Sequence, residues 1–217
     1  MDYNIYTGFH AEDNTIKEKQ EFFDIWLKNT LKYTSPKKII IISTGFIPKF
    51  NSDKVSVINL EYNLGHIGQQ LDGIKNHYYC GWSGHILLSA IHAYNSNVDF
   101  FYKEQDCLAF GDWINRIYGY GCDFSFGYCN NAPYNTEQSL FFIRNAFLLT
   151  FMKEYMSIQS NDIRTLPEYK FKIIEDKHRN LTQRLDFGYG RDNIISFNLP
   201  FYAQHIDKLT LKEIKDI

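Results

Sequence analysis

The chain has 217 residues, 44% hydrophobic and 22% charged, which fits a soluble chain with one sizeable core and excludes a disordered or fibrous protein. Lys and Arg number 23 against 25 Asp and Glu, so the formal charge is −2 and no global basic field exists to gather a nucleic-acid backbone. The four cysteines, Cys80, Cys107, Cys122 and Cys129, form no C-x-x-C pair and are too sparse for a disulfide scaffold, which reads as reduced thiols.

In chain order, Asn4 to Thr7 alternate as a short strand that ends at Gly8. From Asn14 onward Ile16, Phe23, Trp26, Leu27 and Leu31 recur at helical spacing. After Pro36, Lys38 to Ser43 holds four consecutive isoleucines, the mark of a strand covered on both faces in a largely parallel sheet. Val55 to Leu60 is the next strand. Beyond Asn63 and Gly65, the positions Ile67, Leu71 and Ile74 mark a short helix, and Ser83 is expected to cap another, lined by Ile86, Leu87, Ala90, Ile91 and Tyr94. Val98 to Tyr102 follows as a strand. This alternation predicts an α/β layered fold with ligands beyond the carboxyl ends of the strands, which singles out loops 7–13, 43–50, 60–66 and 103–111.

The second half is less regular, broken by Gly111, Gly119, Gly121 and Gly127. Ser139 to Ile143 reads as a strand and Ala146 to Met156 as a helix; Pro167 opens a further helix to about Lys177. A loop with Gly188, Gly190 and Arg191 and a strand near Ile194 to Phe197 follow. No stretch approaches the roughly 18 apolar residues that would span a bilayer, and no apolar block opens the chain, so a cytoplasmic protein is expected.

The sharpest chemical feature is the run from Val98 through Lys103 into Glu104, Gln105 and Asp106, an apolar strand that leads straight into two acids one residue apart. Two carboxylates at a strand end repel unless something positive lies beside them. A hard divalent cation that prefers oxygen ligands is one solution; a solvated turn partnered by Lys103 is the other. The 16 Tyr, 18 Phe and 3 Trp suit flat ligands such as sugars or bases, or a bulky core. Arg191, directly after Gly188-Tyr189-Gly190, could fork onto a phosphate or sit on a plain surface turn.

The run from Asn97 to Trp113, with Glu104-Gln105-Asp106 where an Asp-x-Asp is usual, resembles the metal-binding element of nucleotide-sugar glycosyltransferases of the GT-A fold. Ile5 to Phe9 resembles their first strand, which meets the nucleotide. Phe197 to His205 resembles the C-terminal region where such enzymes place a metal-ligating histidine. Glu104 departs from the pattern by replacing the first Asp.

The resemblance implies one Rossmann-like domain, 1–217, with a mostly parallel central sheet flanked by helices and an irregular C-terminal acceptor region. Residues 1–110 would form the nucleotide-binding half and 111–217 the acceptor half. It implies transfer of a sugar from a UDP- or GDP-linked donor to a hydroxyl of a glycan or lipid-linked acceptor, with Mn2+ or Mg2+, as in polysaccharide biosynthesis. Peripheral association with the inner face of a membrane would suit a lipid-linked acceptor. Asp106 would bind the metal directly, Glu104 would bind it through water or hold the ribose, and His205 would complete the ligands. Thr7, Gly8, Phe9, Asn63 and Gly65 would meet the nucleotide, with Phe9 on the base and His66 nearby, and Arg191 would pair with the diphosphate. Glu168, with Asp176 as rival, would be the base of an inverting transfer. Trp82, Tyr134 and Tyr202 are candidate sugar platforms. Two other readings stay open: a metal-dependent phosphohydrolase or nucleotidyltransferase, and a non-catalytic carbohydrate- or nucleotide-binding module.

Overall fold

Four isoleucines in a row need two apolar faces, and a central sheet with helices on both sides supplies them. The computed structural model describes residues 2–11, 13–61, 81–129, 132–158, 167–188 and 200–203. In chain order the strands are β1 (Tyr3–His10), β2 (Ile39–Thr44), β3 (Val55–Leu60), β4 (Asp99–Lys103), β5 (Leu108–Phe110), β6 (Phe124–Tyr128), β7 (Thr136–Ile143), β8 (Thr182–Arg184) and β9 (Phe201–Ala203). The helices are α1 (Ile16–Tyr33), α2 (Gly81–Asn95), α3 (Trp113–Gly119), α4 (Asn145–Ser157) and α5 (Pro167–Lys177).

Seven strands form one sheet in the order β3-β2-β1-β4-β7-β6-β8, and β5 pairs with β9 in a small second sheet. The strands β3, β2, β1 and β4 are parallel, as are β6 and β8, while β7 runs antiparallel to both β4 and β6. The expected α/β fold, a mostly parallel sheet flanked by helices, is therefore the observed one. No helix among the described residues is long and apolar enough to cross a membrane.

The two-residue period of a strand sorts the side chains into two cores. Tyr3, Ile5, Ile39, Ile41 and Phe101 face one layer, where α1 contributes Phe23, Trp26 and Leu27 and the β5–β9 side contributes Leu108, Phe110, Trp113 and Phe201. Tyr6, Ile40, Ile42, Phe100 and Tyr102 face the other, closed by Ile86 and Ala90 of α2, Leu148 and Phe151 of α4, and Phe171 and Ile174 of α5. At about 25 cal/mol per Å2, a buried side chain of this size contributes ~2 kcal/mol against the entropy of ordering it, so such double-sided burial specifies the sheet.

Several elements differ from the sequence expectations. The strand expected at Ser139 begins three residues earlier, at Thr136. The glycine-punctuated stretch hides α3 and β6, and β6 tolerates Gly127 because the register with β7 shifts there. Ser83 does not cap α2 but lies within it, its hydroxyl 2.7 Å from that of Tyr155 in α4. Cys107, Cys122 and Cys129 are buried free thiols, in line with the reduced reading. The helix expected near Ile67 and the strand near Ile194 lie outside the described residues.

Candidate active site

The chain lays down β1, β2 and β3 toward one edge and then returns to place β4 on the other flank of β1, so the strand order reverses between β1 and β4. Helices before and after such a point leave on opposite faces, and the crevice at the carboxyl ends is where ligands settle in α/β sheets. Two segments end there: Thr7 to His10 from β1, and Lys103 into Glu104-Gln105-Asp106 from β4.

The triplet is fixed from several sides. Cys107 N–H donates to Glu104 O at 3.0 Å, closing the triplet into a turn, and Glu104 N–H donates to Ser139 O of β7 at 2.8 Å. The indole N–H of Trp26 in α1 donates to Glu104 O at 2.9 Å. The side-chain oxygen of Gln105 accepts from His10 N–H at 3.2 Å, which ties the turn to the end of β1. Two neighbouring strands and one helix thus hold the turn that carries the two carboxylates.

Lys103 is not their partner. It is 0% exposed, and its ammonium donates to Asn29 Oδ1 at 2.7 Å and Thr30 Oγ1 at 2.8 Å in α1, with the Trp26 ring centroid 4.9 Å away. Strand alternation explains this, since Lys103 shares the face of Phe101 and points into the α1 layer. Burial pulls its pKa down to about 7, opposed weakly by Cys107. The solvated-turn reading of the triplet, with Lys103 as counter-charge, fails on this geometry.

Two carboxylates on one turn are hard oxygen donors and fit Mg2+ or Mn2+ in chemistry. Among the described residues no group of three or more His, Cys, Asp and Glu comes together, so a third protein ligand would come from elsewhere in the chain. His205 lies outside the described residues, as do Asn63, Gly65, His66 and Arg191.

At the end of β1, Thr7 is 1% exposed with its hydroxyl on Gly8 O at 3.2 Å, and Gly8 N–H donates to the Tyr102 hydroxyl at 3.3 Å. Gly8 has no room for a side chain: a Cβ there would collide with Nδ1 of His85 from α2. Phe9, expected to lie on a base, is 2% exposed and packs edge-on against Phe23 of α1 at 5.6 Å between centroids. Its odd position in β1 sends it to the α1 core, so it makes no platform.

Two histidines lie beside the end of β1: His10, which the sequence argument did not single out, and His85, read from the sequence as structural or solvated within a helix. His10 accepts or donates at Nδ1 to Thr44 O and Oγ1, at 3.1 and 3.2 Å, joining β1 to β2 at the crevice. His85 is 7% exposed, and its Nε2 finds no hydrogen-bond partner among the described residues. Burial lowers its pKa to about 4, helped by the nearby His10, so it is neutral near pH 7. Nothing in the local sequence of α2 shows that it meets Gly8, which is 77 residues earlier.

Glu168 is 4% exposed in the first turn of α5, on the same buried face as Phe171. Its neighbour Tyr169 lies against Tyr134, at 5.0 Å between centroids, in the turn that leads into β7. Asp176 is eight residues further along the helix, about 12 Å along its axis. It accepts from Lys172 at 2.8 Å and Arg179 at 3.2 Å, and those bonds, Lys172 first, hold its carboxyl below the usual range. An exposed carboxylate clamped by cations at the far end of α5 is poorly placed as a base, which corrects its candidacy. Trp82, partly buried, packs its ring against Tyr102, Phe141 and Phe171, and Tyr202, 1% exposed, is a core residue and not a sugar platform. Tyr134, at 51%, is exposed. Glu137, missed in the sequence, is 1% exposed at the start of β7 and accepts the N–H groups of Gln138 and Ser139 at 2.8 and 3.0 Å.

No family model and no curated relative matches the chain. Solved structures do. The apo form of the glycosyltransferase GlyE from Streptococcus pneumoniae TIGR4 superposes with a TM-score of 0.55 at 13% identity, over 96% of this chain and 55% of that one. The galactosyltransferase LgtC, in complex with donor and acceptor sugar analogs, superposes with a TM-score of 0.53 at 8% identity, over 94% of this chain and 87% of that one. The chain therefore spans little more than half the length of GlyE. At such identities the likeness is one of fold, and the fold is that of the GT-A glycosyltransferases.

Proposed function

We propose that the chain is a divalent-metal-dependent glycosyltransferase that moves a sugar from a nucleoside-diphosphate donor to a hydroxyl group of a glycan or lipid-linked acceptor. The observation that carries this reading is the position of the Glu104–Asp106 turn. It leaves the sheet where the strand order reverses and is tied to β1 through Gln105 and to β7 through Glu104. Asp106 and Glu104 would hold the ion, with His205 as a further ligand. An Mn2+ or Mg2+ ion there supplies charge neutralisation for the departing diphosphate.

The chain's own residues supply the rest. Gly8 leaves room for the His85 ring beside the end of β1, and Thr7 and Gly8 would meet the nucleotide there. Asn63 and Gly65 add contacts, and Arg191 donates to phosphate oxygens. Glu168 takes the proton of the acceptor hydroxyl as that oxygen bonds to the anomeric carbon. The bond from this carbon to the diphosphate oxygen breaks, and the configuration inverts. The likeness in fold to GlyE and LgtC supports transfer over phosphoryl chemistry, which two carboxylates at a strand end could also serve.

The test is donor turnover. With Mn2+ and a panel of UDP- and GDP-sugars, at least one donor should release nucleoside diphosphate and free sugar by slow hydrolysis. Asp106→Asn should lower that rate by two orders of magnitude or more, by loss of a metal ligand, with melting temperature unchanged within a degree or two. Release of sugar phosphate would instead indicate a phosphohydrolase, and full activity in Asp106→Asn would remove the metal role from this turn.

A further inference from the structure

The turn ahead of β7 carries two consecutive non-glycine residues in left-handed backbone, Tyr134 at φ 57° and Asn135 at φ 51°. Side chains rarely adopt this region, and such residues persist where the surroundings over-determine them, a pattern concentrated at ligand sites. Here the surroundings do so visibly. Asn135 N–H donates to Ala132 O at 3.0 Å, and the Thr136 hydroxyl donates to Tyr134 O at 3.2 Å. Arg184 of β8 donates through Nη1 to Asn135 O at 2.8 Å and to Gly127 O at 3.3 Å. The other side of the same guanidinium holds Glu175 of α5 at 2.6 and 2.7 Å, and its plane lies 4.3 Å from the Phe126 ring centroid.

One arginine thus locks a sheet strand, a helix and the turn together, and what the turn presents is a tyrosine. Tyr134 is 51% exposed, with Tyr169 packed against it at 5.0 Å and a tilt of 45°. Holding an aromatic ring out in water through strained backbone serves no core. A fixed aromatic face is suited to the apolar C–H face of a pyranose, and the phenol hydroxyl can bond to ring hydroxyls.

Its position is near the acidic turn and the proposed base. Tyr134 lies five positions before Ser139, whose carbonyl holds the acidic turn, a span of at most ~17 Å in extended chain. That upper bound lies within the length of a short oligosaccharide that extends from the turn. Tyr169 directly follows Glu168, the proposed base. We infer that Tyr134, backed by Tyr169, is an acceptor subsite that stacks a pyranose ring of a glycan one or more units from the reacting hydroxyl. The inference rests on the transferase reading for its role and on the turn's geometry for its existence.

The experiment is saturation-transfer NMR on the full chain without donor or metal, with methyl β-D-glucopyranoside, methyl β-D-galactopyranoside and methyl α-D-mannopyranoside as probes. Saturation should reach the ring C–H protons of at least one glycoside, survive in Tyr134→Phe, and fall about three- to tenfold in Tyr134→Ala, the range expected for loss of one stacking contact. Tyr134→Gly separates binding from folding. Glycine accepts this φ without strain, so that variant should melt no lower than the parent while losing the transfer. Absence of ring-proton saturation with all three probes, saturation confined to the aglycone methyl, or undiminished transfer in Tyr134→Gly would each overturn the subsite. Saturation without donor hydrolysis would sink the transferase reading and leave the platform; hydrolysis without saturation would do the reverse.

Discussion

Acidification tests the apposition of Gly8 and His85 most directly. His85 is buried against the end of β1, and desolvation lowers its pKa from the usual 6.5 to about 4. Between those values the unfolded chain binds a proton at this site and the folded chain does not, so stability falls as pH drops through this window. Over the whole window, one proton at ~1.4 kcal/mol per pH unit amounts to about 3 kcal/mol, of which about 2 kcal/mol is lost between pH 7 and pH 5. The assay is urea denaturation at pH 7, 6 and 5 for the parent and for His85→Gln, which cannot titrate. Carboxylates held low by ion pairs, such as Asp186 beside Arg116 and Glu154 beside Lys177, lose stability in the same direction at lower pH. Partly buried His92, also held low by burial, adds to the loss as well. These contributions cancel in the difference between the two proteins. The parent should lose about 2 kcal/mol more than His85→Gln by pH 5. Parallel curves, or an imidazole of His85 titrating near pH 6.5 by NMR, would refute the buried neutral ring and with it the packing of α2 on β1.

Two further predictions concern the two sides of the sheet. Gly8→Ala should destabilise the fold by ~1 to 3 kcal/mol in chemical denaturation, because its Cβ displaces His85, and much of that loss should vanish in the double variant Gly8→Ala with His85→Ala, where the obstacle is gone. Lys103 is an ammonium held at about 7 by burial, so between pH 7 and 9 the unfolded chain keeps a proton that the folded chain sheds, and stability should rise by up to ~1.4 kcal/mol per pH unit. Lys103→Met should flatten that rise in the same denaturation series. Above pH 9 the Cys107 thiol, pushed up by burial, works in the opposite direction, so the comparison belongs below it.

Much of the architecture was legible because it follows from local spacing. The period of two and the isoleucine run at 39–42 mark a strand buried on both faces, the helical spacing of Phe23, Trp26 and Leu27 marks α1, and Pro167 marks the start of α5. The acid triplet was legible for the same reason, since its position after an apolar strand is a fact of sequence order. The stretch from Gly111 to Gly127 was not, because glycines there punctuate loops and also interrupt a strand whose pairing absorbs the irregularity.

Composition and periodicity determined that this protein is an α/β domain with carboxylates at the end of its fourth strand. Which side chains share the crevice with them was decided by tertiary structure alone. The face on which Lys103 and Phe9 emerge depends on the register of β1 and β4 against α1, and the meeting of Gly8 with His85 depends on where α2 crosses the sheet. The braced position of Tyr134 depends on an arginine 50 residues away in β8. Such contacts join residues far apart in the chain, and spacing along a sequence carries information only about neighbours on the same element.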